Sequence, residues 1–185
     1  FVAVLGVIFV TSEYGSGLIR TMFAAVPTRL PVLGAKAAVV AAATTAVMTV
    51  ASFAAFLGGQ AVYGVPEATM SLGDDGVIRA LLGTGLYLGG IAAMGVALGF
   101  LLRSAGAAIG VVIGTLMVAP LLVSLLPSGF SDPVSRILPS NAGEAFRSIT
   151  TTSDLLSPGP GVAVFALWVV GLVGAAAVVV RRRDA

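Results

Sequence analysis

Four stretches of the chain are apolar enough and long enough to cross a membrane as helices. Each approaches or exceeds the roughly 20 residues that a transmembrane helix needs, and they cover residues 32–57, 80–102, 105–126 and 161–180. Residues 1–10, FVAVLGVIFV, are just as apolar but only about half that length, so we interpret them as the end of a span that begins before Phe1. The pattern predicts an all-α polytopic membrane protein with a single transmembrane domain over residues 1–185.

The polar residues between the spans fall into three segments and one tight turn at Arg103 and Ser104. The segments are a basic island and two loops, at residues 11–31, 58–79 and 127–160. Because the turn is so short, the spans on either side of it are predicted to form a helical hairpin. Pro120 is expected to kink the span 105–126 near its far end.

A short amphipathic helix is predicted inside the basic island. Its apolar residues recur at helical spacing, with Arg20 turned away from them, and they are Ile19, Met22, Phe23 and Val26. Ser12 is a candidate N-cap, which would place Glu13 at the positive end of the helix, and Pro27 and Pro31 would end it. Between two spans such a helix lies at the water interface, where it can bind a soluble protein.

Two short helices are also predicted in the loop 127–160. One covers Pro133–Leu138, and the other runs from an N-cap at Asn141, with Glu144 three residues on, to about Ile149. These segments either dip back into the membrane, shielded by protein, or belong to a surface loop. Both alternatives are open at this point.

Composition supports the membrane location and narrows the chemistry. The chain is 58% hydrophobic and 10% charged, with a mean hydropathy of +1.08, whereas about a quarter of a soluble domain is charged. It has no cysteine and no histidine, which excludes disulfides, thiol catalysis, Cys/His metal sites and histidine-based triads. The net charge is only +2 and the basic residues cluster at membrane edges, so no nucleic-acid partner is expected.

The basic residues predict an orientation. With the island cytoplasmic, seven of the ten basic residues lie inside, namely Arg20, Arg29, Lys36, Arg103, Arg181, Arg182 and Arg183. All of these except Arg20 are the predicted orientation anchors. The other three lie outside with six of the eight acids, and they are Arg79, Arg136 and Arg147. The positive-inside rule thus predicts a multi-pass cell-membrane protein with residues 11–31 and the C-terminus in the cytoplasm.

The sequence contains no catalytic, cofactor or metal site that we recognise. Lys36 is the only lysine and is not followed by Ser or Thr, so there is no phosphate-binding loop. Asp74 and Asp75 are adjacent, between glycines at the edge of a span, where a solvated loop explains them better than an aspartyl or metal pair. No ionisable residue lies at the centre of a span, which argues against an ion-coupled transporter.

Four pairs of glycines lie four residues apart within the spans. They are Gly85/Gly89, Gly95/Gly99, Gly106/Gly110 and Gly110/Gly114. Such pairs let helix backbones approach closely. We interpret them as packing within the bundle rather than as a dimer interface.

The basic island resembles the cytoplasmic loop of type-2 ATP-binding-cassette (ABC) exporter permeases, particularly the actinobacterial members. The similar residues are SEYGSGLIRT at 12–21, PTR at 27–29 and AK at 35–36. In that family the loop has Glu followed by an aromatic residue, a glycine, Ile-Arg-Thr, Pro-x-Arg, and Ala-Lys entering the next span. LPSNAG at 138–143 is a second similarity, and the order of the spans also fits, so the resemblance covers essentially the whole chain.

The resemblance implies six transmembrane helices per subunit, of which the first and part of the second precede Phe1. It also implies that residues 11–31 contain the coupling helix, which docks on a separate ATPase subunit. The predicted contacts with that subunit are Glu13, Tyr14, Gly17, Ile19, Arg20 and Thr21. Glu13 and Arg20 would supply ion pairs or caps, and Tyr14 and Ile19 the buried contacts. Alternatively, Glu13 complements the helix dipole and Arg20 anchors a lipid headgroup.

The implied function is the permease subunit of an ATP-driven exporter. The partner ATPase would bind ATP and Mg²⁺, this chain would need no cofactor, and a second permease subunit, identical or different, would complete the path through the membrane lipid. The expected cargo is amphipathic, for example a drug, a lipid, a glycolipid or a peptide. The alternative is a non-transporting membrane module that docks a soluble partner for sensing or signalling. An intramembrane enzyme is disfavoured by the absence of histidine, cysteine and mid-span acids.

Overall fold

The computed structural model describes residues 1–26, 28–63, 70–150, 152 and 154–182. Regular structure in these residues is helical, and the α-helices are Val2–Ser16 (α1), Leu18–Ala25 (α2), Leu30–Tyr63 (α3), Val77–Leu102 (α4), Ala105–Ile113 (α5), Ala119–Ser124 (α6), Ser128–Ile137 (α7), Pro139–Arg147 (α8) and Pro158–Arg182 (α9). A π-helical segment, Gly114–Val118, joins α5 to α6. The all-α class is confirmed, and the six-span ABC bundle stays a prediction.

The four predicted spans coincide with four long apolar helical segments of the described chain. These segments are Leu30–Gln60, Val77–Leu102, Ala105–Ser124 and Pro158–Arg182, and they indicate a membrane-embedded helical bundle. Three of them begin two or three residues before the predicted starts, because polar residues such as Arg79 continue a helix beyond its apolar part. The predicted hairpin is present, since α4 ends at Leu102 and α5 begins at Ala105.

The π-helical segment lies just before Pro120, where the sequence predicts a kink. A proline ring clashes with the carbonyl group four residues earlier, which here belongs to Leu116. A wider π-helical turn around that carbonyl gives the ring room. The position of the irregularity was therefore predictable, but its form was not.

Helix α4 is the centre of the bundle. Of its membrane-length segment 67% is buried, compared with 11% or less for the other three long segments. Helices α1, α3, α5, α8 and α9 all pack against it. Such close packing on several sides requires small side chains, which α4 supplies in the sequence LGGIAAMGVALG at 88–99.

Two of the four glycine pairs pack within the chain, namely Gly85/Gly89 against α3 and Gly95/Gly99 against α1. A Cβ atom built on Gly89 would lie only 2.7 Å from the carbonyl oxygen of Ala41. The glycines of the other two pairs have no such neighbour within 4 Å in the described chain, and they are Gly106, Gly110 and Gly114. The interpretation as packing within the bundle holds for α4 and is wrong for this face of the α5 segment.

The loop 127–160 contains two helices whose bounds differ from the prediction. Helix α7 begins at Ser128 rather than at Pro133. Helix α8 begins at Pro139, so the prediction of Asn141 as its N-cap is wrong. A proline favours the first helical position because its φ is preset and its missing N–H needs no partner there. Helix α8 ends at Arg147, before the predicted end near Ile149.

Helix α8 packs along the sides of α4 and α9. Gly143 lies against the ring of Tyr87, which follows Val77 by ten residues, or about 15 Å along the axis of α4. The indole Nε1–H of Trp168 donates a hydrogen bond of 2.8 Å to the carbonyl oxygen of Ile137 at the end of α7. Of the two alternatives for this loop, the structure therefore favours a segment that folds back along the bundle.

Candidate docking site at the end of the bundle

The basic island contains a right-angled bend, which we call the elbow and define as residues 13–25. Helix α1 continues to Ser16, α2 begins at Leu18, and the two helices are bent by 89°. Gly17 lies between them with a φ of 76°, a left-handed conformation that glycine adopts without strain. The direction of α2 therefore depends on this one glycine.

The predicted N-cap at Ser12 is wrong, because Ser12 and Glu13 lie inside α1. The Ser12 hydroxyl donates to the carbonyl oxygen of Phe9 at 3.4 Å, within the helix, and Gly17 is the N-cap residue of α2. Glu13 lies in the last turn of α1, where the negative end of a helix disfavours a carboxylate. The alternative role of Glu13 as a complement to the helix dipole is therefore also wrong.

Glu13 is instead paired with Lys36 of α3. The Lys36 Nζ atom lies 2.5 Å from Glu13 Oε1, and each side chain is only 12% exposed. The same Nζ atom lies 4.6 Å from the centroid of the Phe9 ring, close enough for a cation–π interaction. Salt screens such a shielded pair less than it screens a surface pair. The Glu13–Lys36 pair therefore links the elbow to α3.

Tyr14 connects the elbow to the turn between α4 and α5. Its ring centroid lies 6.2 Å from that of Phe100, with an interplanar angle of 81°, which is an edge-to-face contact. The guanidinium carbon of Arg103 lies 5.2 Å from the centroid of the Tyr14 ring. A movement of the elbow therefore reaches both α4 and the hairpin turn.

Helix α2 rests on the bundle through its predicted apolar face. Ile19 is 2% exposed and Phe23 is 6% exposed. Both belong to a buried cluster to which α3, α4 and α9 contribute Leu33, Phe100 and Val180. The guanidinium carbon of Arg29 also lies 5.4 Å from the centroid of the Phe23 ring.

The end of α2 differs from the prediction. Ala25 is the last helical residue, so Val26 is the C-cap rather than a member of the apolar face. Pro31 lies in the first turn of α3 and starts that helix instead of ending α2. Pro27 lies outside the described residues.

The outer face of α2 is exposed. Arg20 and Thr21 are turned away from the bundle, as predicted, and the Thr21 hydroxyl donates to the carbonyl oxygen of Leu18 at 2.7 Å. Leu18 is apolar but 46% exposed. Leu18 is not among the predicted contact residues, although helical spacing places it off the face of Ile19 and Phe23.

The structure divides the six predicted contact residues into two groups. Those that pack within the chain or form its bend are Glu13, Tyr14, Gly17 and Ile19. Those on the exposed face are Arg20 and Thr21. Contact with an ATPase subunit stays a prediction, and in this conformation a partner reaches the outer face of α2 directly.

The helix ends that carry the predicted orientation anchors meet at one end of the bundle, which we call the Arg103 end. The buried cluster under α2 joins the end of α1, the start of α3 and the ends of α4 and α9. The anchors within the described chain are Arg29, Lys36, Arg103, Arg181 and Arg182. Arg183 lies outside the described residues, and the side of the membrane on which this end lies stays a prediction.

Glu13→Gln is expected to lower the free energy of unfolding by about 1–3 kcal/mol, because Lys36 loses a shielded charged partner. Lys36→Met removes the same interaction, so the double variant should lose less than the sum of the two single losses. Thermal unfolding of the purified protein in mild detergent measures all three variants. Strictly additive losses would show that the two side chains do not interact.

The described residues contain no group of three or more His, Cys, Asp or Glu side chains that could hold a metal ion. The Asp74 carboxylate accepts hydrogen bonds from the Ser71 backbone N–H at 2.7 Å and from the Ser71 hydroxyl at 3.1 Å. Asp75 is exposed. The acidic pair therefore belongs to an exposed turn before α4.

Comparison with protein families, curated proteins and solved structures gives no match to this chain. The resemblance to ABC exporter permeases consequently rests on the sequence motifs alone. The geometry of the elbow adds to those motifs the 89° bend at Gly17 and the burial of Ile19 and Phe23.

Proposed function

We propose that this chain is the transmembrane permease subunit of an ATP-driven exporter of the type-2 ABC class. The observation that carries the proposal is the elbow, a short helix at right angles to α1 and held on the bundle by Ile19 and Phe23. Its exposed surface carries Leu18 and Arg20, an apolar side chain and a cation that are two residues apart and therefore lie on opposite flanks of α2. Such a surface suits the groove of a separate ATPase subunit, because arginine is enriched among the residues that dominate docking energy and an exposed leucine is stabilised by burial.

The contacts of the elbow suit it to transmit movement. A displacement of α2 acts on the last turn of α1 through Gly17. That turn contacts α3 through the Glu13–Lys36 pair and the α4–α5 turn through Tyr14. Packed elements move as rigid bodies, whereas a flexible loop would absorb the displacement. Closure of the ATPase subunits would in this way switch the bundle between inward-open and outward-open states.

The remaining parts of the exporter are supplied by partners. The ATPase subunit binds ATP and Mg²⁺, and a second permease subunit, identical or different, completes the path. Three of the four long apolar segments are at most 11% buried within this chain, which leaves apolar faces for that subunit and for lipid. The apolar character of these faces favours an amphipathic cargo such as a drug, a lipid, a glycolipid or a peptide.

Purification of the tagged chain from its native membrane in mild detergent tests the proposal. An ATPase subunit with Walker motifs should co-purify and be identified by mass spectrometry. Arg20→Glu should abolish its recovery, because the exposed cation of α2 is reversed. Arg136→Glu, a charge reversal in α7 at the opposite end of the bundle, should leave recovery unchanged.

Two outcomes would contradict this assignment. The chain could be recovered without an ATPase, or both charge reversals could reduce recovery equally. Where the ATPase does co-purify, its hydrolysis rate separates the exporter from a signalling module. An exporter hydrolyses ATP faster when its cargo is present, whereas a sensing module is indifferent to cargo.

A further inference from the structure

A lateral groove lies at the end of the bundle opposite the Arg103 end. It has a volume of about 720 Å³ and lies between α3, α4, α8 and α9. Most of the described residues that line it are apolar, including Leu82, Leu86, Phe146 and Val162. Among these described residues Arg79 is the one that is charged, and none of them carries a carboxylate.

Arg79 is held in place without losing its charge. It is the third residue of α4, and its Nη2 atom donates to the carbonyl oxygens of Ser148 at 2.9 Å and Ile149 at 3.4 Å. A guanidinium group has five N–H donors. Within the described chain both bonds use Nη2, so the donors on Nη1 remain for a ligand at the mouth of the groove. Backbone carbonyls orient the group but do not neutralise it.

The apolar part of the groove extends from Arg79 along α4. Leu82 and Leu86 lie one and two helical turns further on, and each is about half exposed. Leu86 follows Arg79 by seven residues, so the apolar track is about 10 Å long. Val162 of α9 and Thr45 of α3 lie on the two sides of this track. A cation therefore caps one end of an apolar strip that runs parallel to the helices.

We propose that this groove binds a membrane phospholipid with an anionic headgroup. The phosphate lies at Arg79, where a planar guanidinium matches its oxygens, and one acyl chain lies along Leu82 and Leu86. The charge is placed where α4 leaves the apolar layer, which is the depth of lipid phosphates. A zwitterionic lipid carries its own cation and gains less from Arg79. The site does not depend on the proposed transport function.

Native mass spectrometry of the full chain in detergent measures this binding. The protein is mixed with equal amounts of phosphatidylglycerol and phosphatidylcholine that carry identical acyl chains. The wild-type chain should retain phosphatidylglycerol about tenfold more often than phosphatidylcholine, since charge-assisted contacts form with only one net anionic headgroup. Arg79→Gln should bring the two lipids close to parity, whereas Arg136→Gln should keep the preference.

A second variant tests the apolar part of the site without changing the hydrogen bonds of Arg79. Leu86→Trp fills the groove and should reduce phosphatidylglycerol adducts severalfold, and it remains informative if Arg79→Gln does not fold. Three results would overturn the inference. These are equal retention of both lipids by the wild-type chain, equal loss in the two arginine variants, and unchanged adducts in Leu86→Trp.

Discussion

Gly95→Leu is expected to prevent α1 from packing on α4 and to leave little folded protein. A Cβ atom on Gly95 would lie 3.0 Å from the backbone carbonyl carbon of Ala3 and 3.1 Å from its Cα. Backbone atoms cannot rotate away as a flexible side chain can, so the helices must separate. Overpacking of a core lowers the free energy of unfolding by about 1–3 kcal/mol and sometimes more. Because this clash is with backbone, we expect a loss at or above the upper value.

The structural consequence follows from the position of α1. Its Ala3 and Val7 belong to the same buried cluster as Ile91 and Leu98 of α4. Separation of the two helices exposes this cluster and also removes the support of the elbow, whose first turn is the end of α1. We therefore expect loss of the monodisperse peak in size-exclusion chromatography and a strongly lowered midpoint of thermal unfolding.

Gly110→Leu is the matched control. Gly110 also lies within a long apolar helical segment, but in the described chain nothing lies within 4 Å of a Cβ atom built on it. The size-exclusion peak and the unfolding midpoint of the single chain should remain close to those of the wild type. If the two substitutions behaved alike, the packing of α1 against α4 would be contradicted.

The spans could be predicted from the sequence because a bilayer imposes a length and a composition on any helix that crosses it. Which helix packs against which could not be predicted. Glycine pairs occur in α4 and α5 alike, and the local sequence does not show that Gly89 faces α3 while Gly110 faces outward. That difference depends on the direction in which each helix leaves its turn.

The start of the short island helix was predicted at the wrong residue for a related reason. Ser12 followed by Glu13 is typical of a helix N-terminus, but α1 continues through both residues. The Tyr14–Phe100 contact and the Glu13–Lys36 pair hold the last turn of α1 on the bundle. These contacts are distant in sequence, so the preference of Ser12 for a cap was overridden by tertiary packing.

The candidate docking site was predictable in part. Helical spacing correctly grouped Ile19 with Phe23 and placed Arg20 away from them, where it is exposed. Periodicity shows which residues share a face, but it does not show whether that face meets a partner or the rest of the chain. Arg79 presents the same difficulty, because an arginine at the end of a span predicts only an anchor until the groove beside it is seen.

Ile19→Ala and Leu18→Ala are expected to affect α2 in different ways, although the residues are adjacent. Ile19 is 2% exposed, and its truncation should cost about 2 kcal/mol or more. Because α2 is a short helix held largely by Ile19 and Phe23, this cost falls on its docking rather than on the spans. Leu18 is 46% exposed, so its truncation should leave the docking of α2 intact.

Limited trypsin digestion measures the docking of α2, because Arg20 lies in its helix and is cleaved when the segment opens locally. A loss of about 2 kcal/mol corresponds to roughly a 30-fold increase in the open fraction, and cleavage in Ile19→Ala should accelerate accordingly. Leu18→Ala should be cleaved at the wild-type rate. The unfolding midpoint of the spans should change little in either variant.

Co-purification of the ATPase subunit then distinguishes a residue that holds α2 on the bundle from a residue that contacts the partner. Ile19→Ala should weaken it because α2 is no longer held in position. Leu18→Ala should weaken it by about tenfold because the partner no longer buries an apolar side chain. Loss of the partner in Leu18→Ala at an unchanged cleavage rate would place Leu18 in the interface itself. If Leu18→Ala bound the ATPase normally, the outer face of α2 would not be the docking surface, and the elbow would serve only to close the Arg103 end of the bundle.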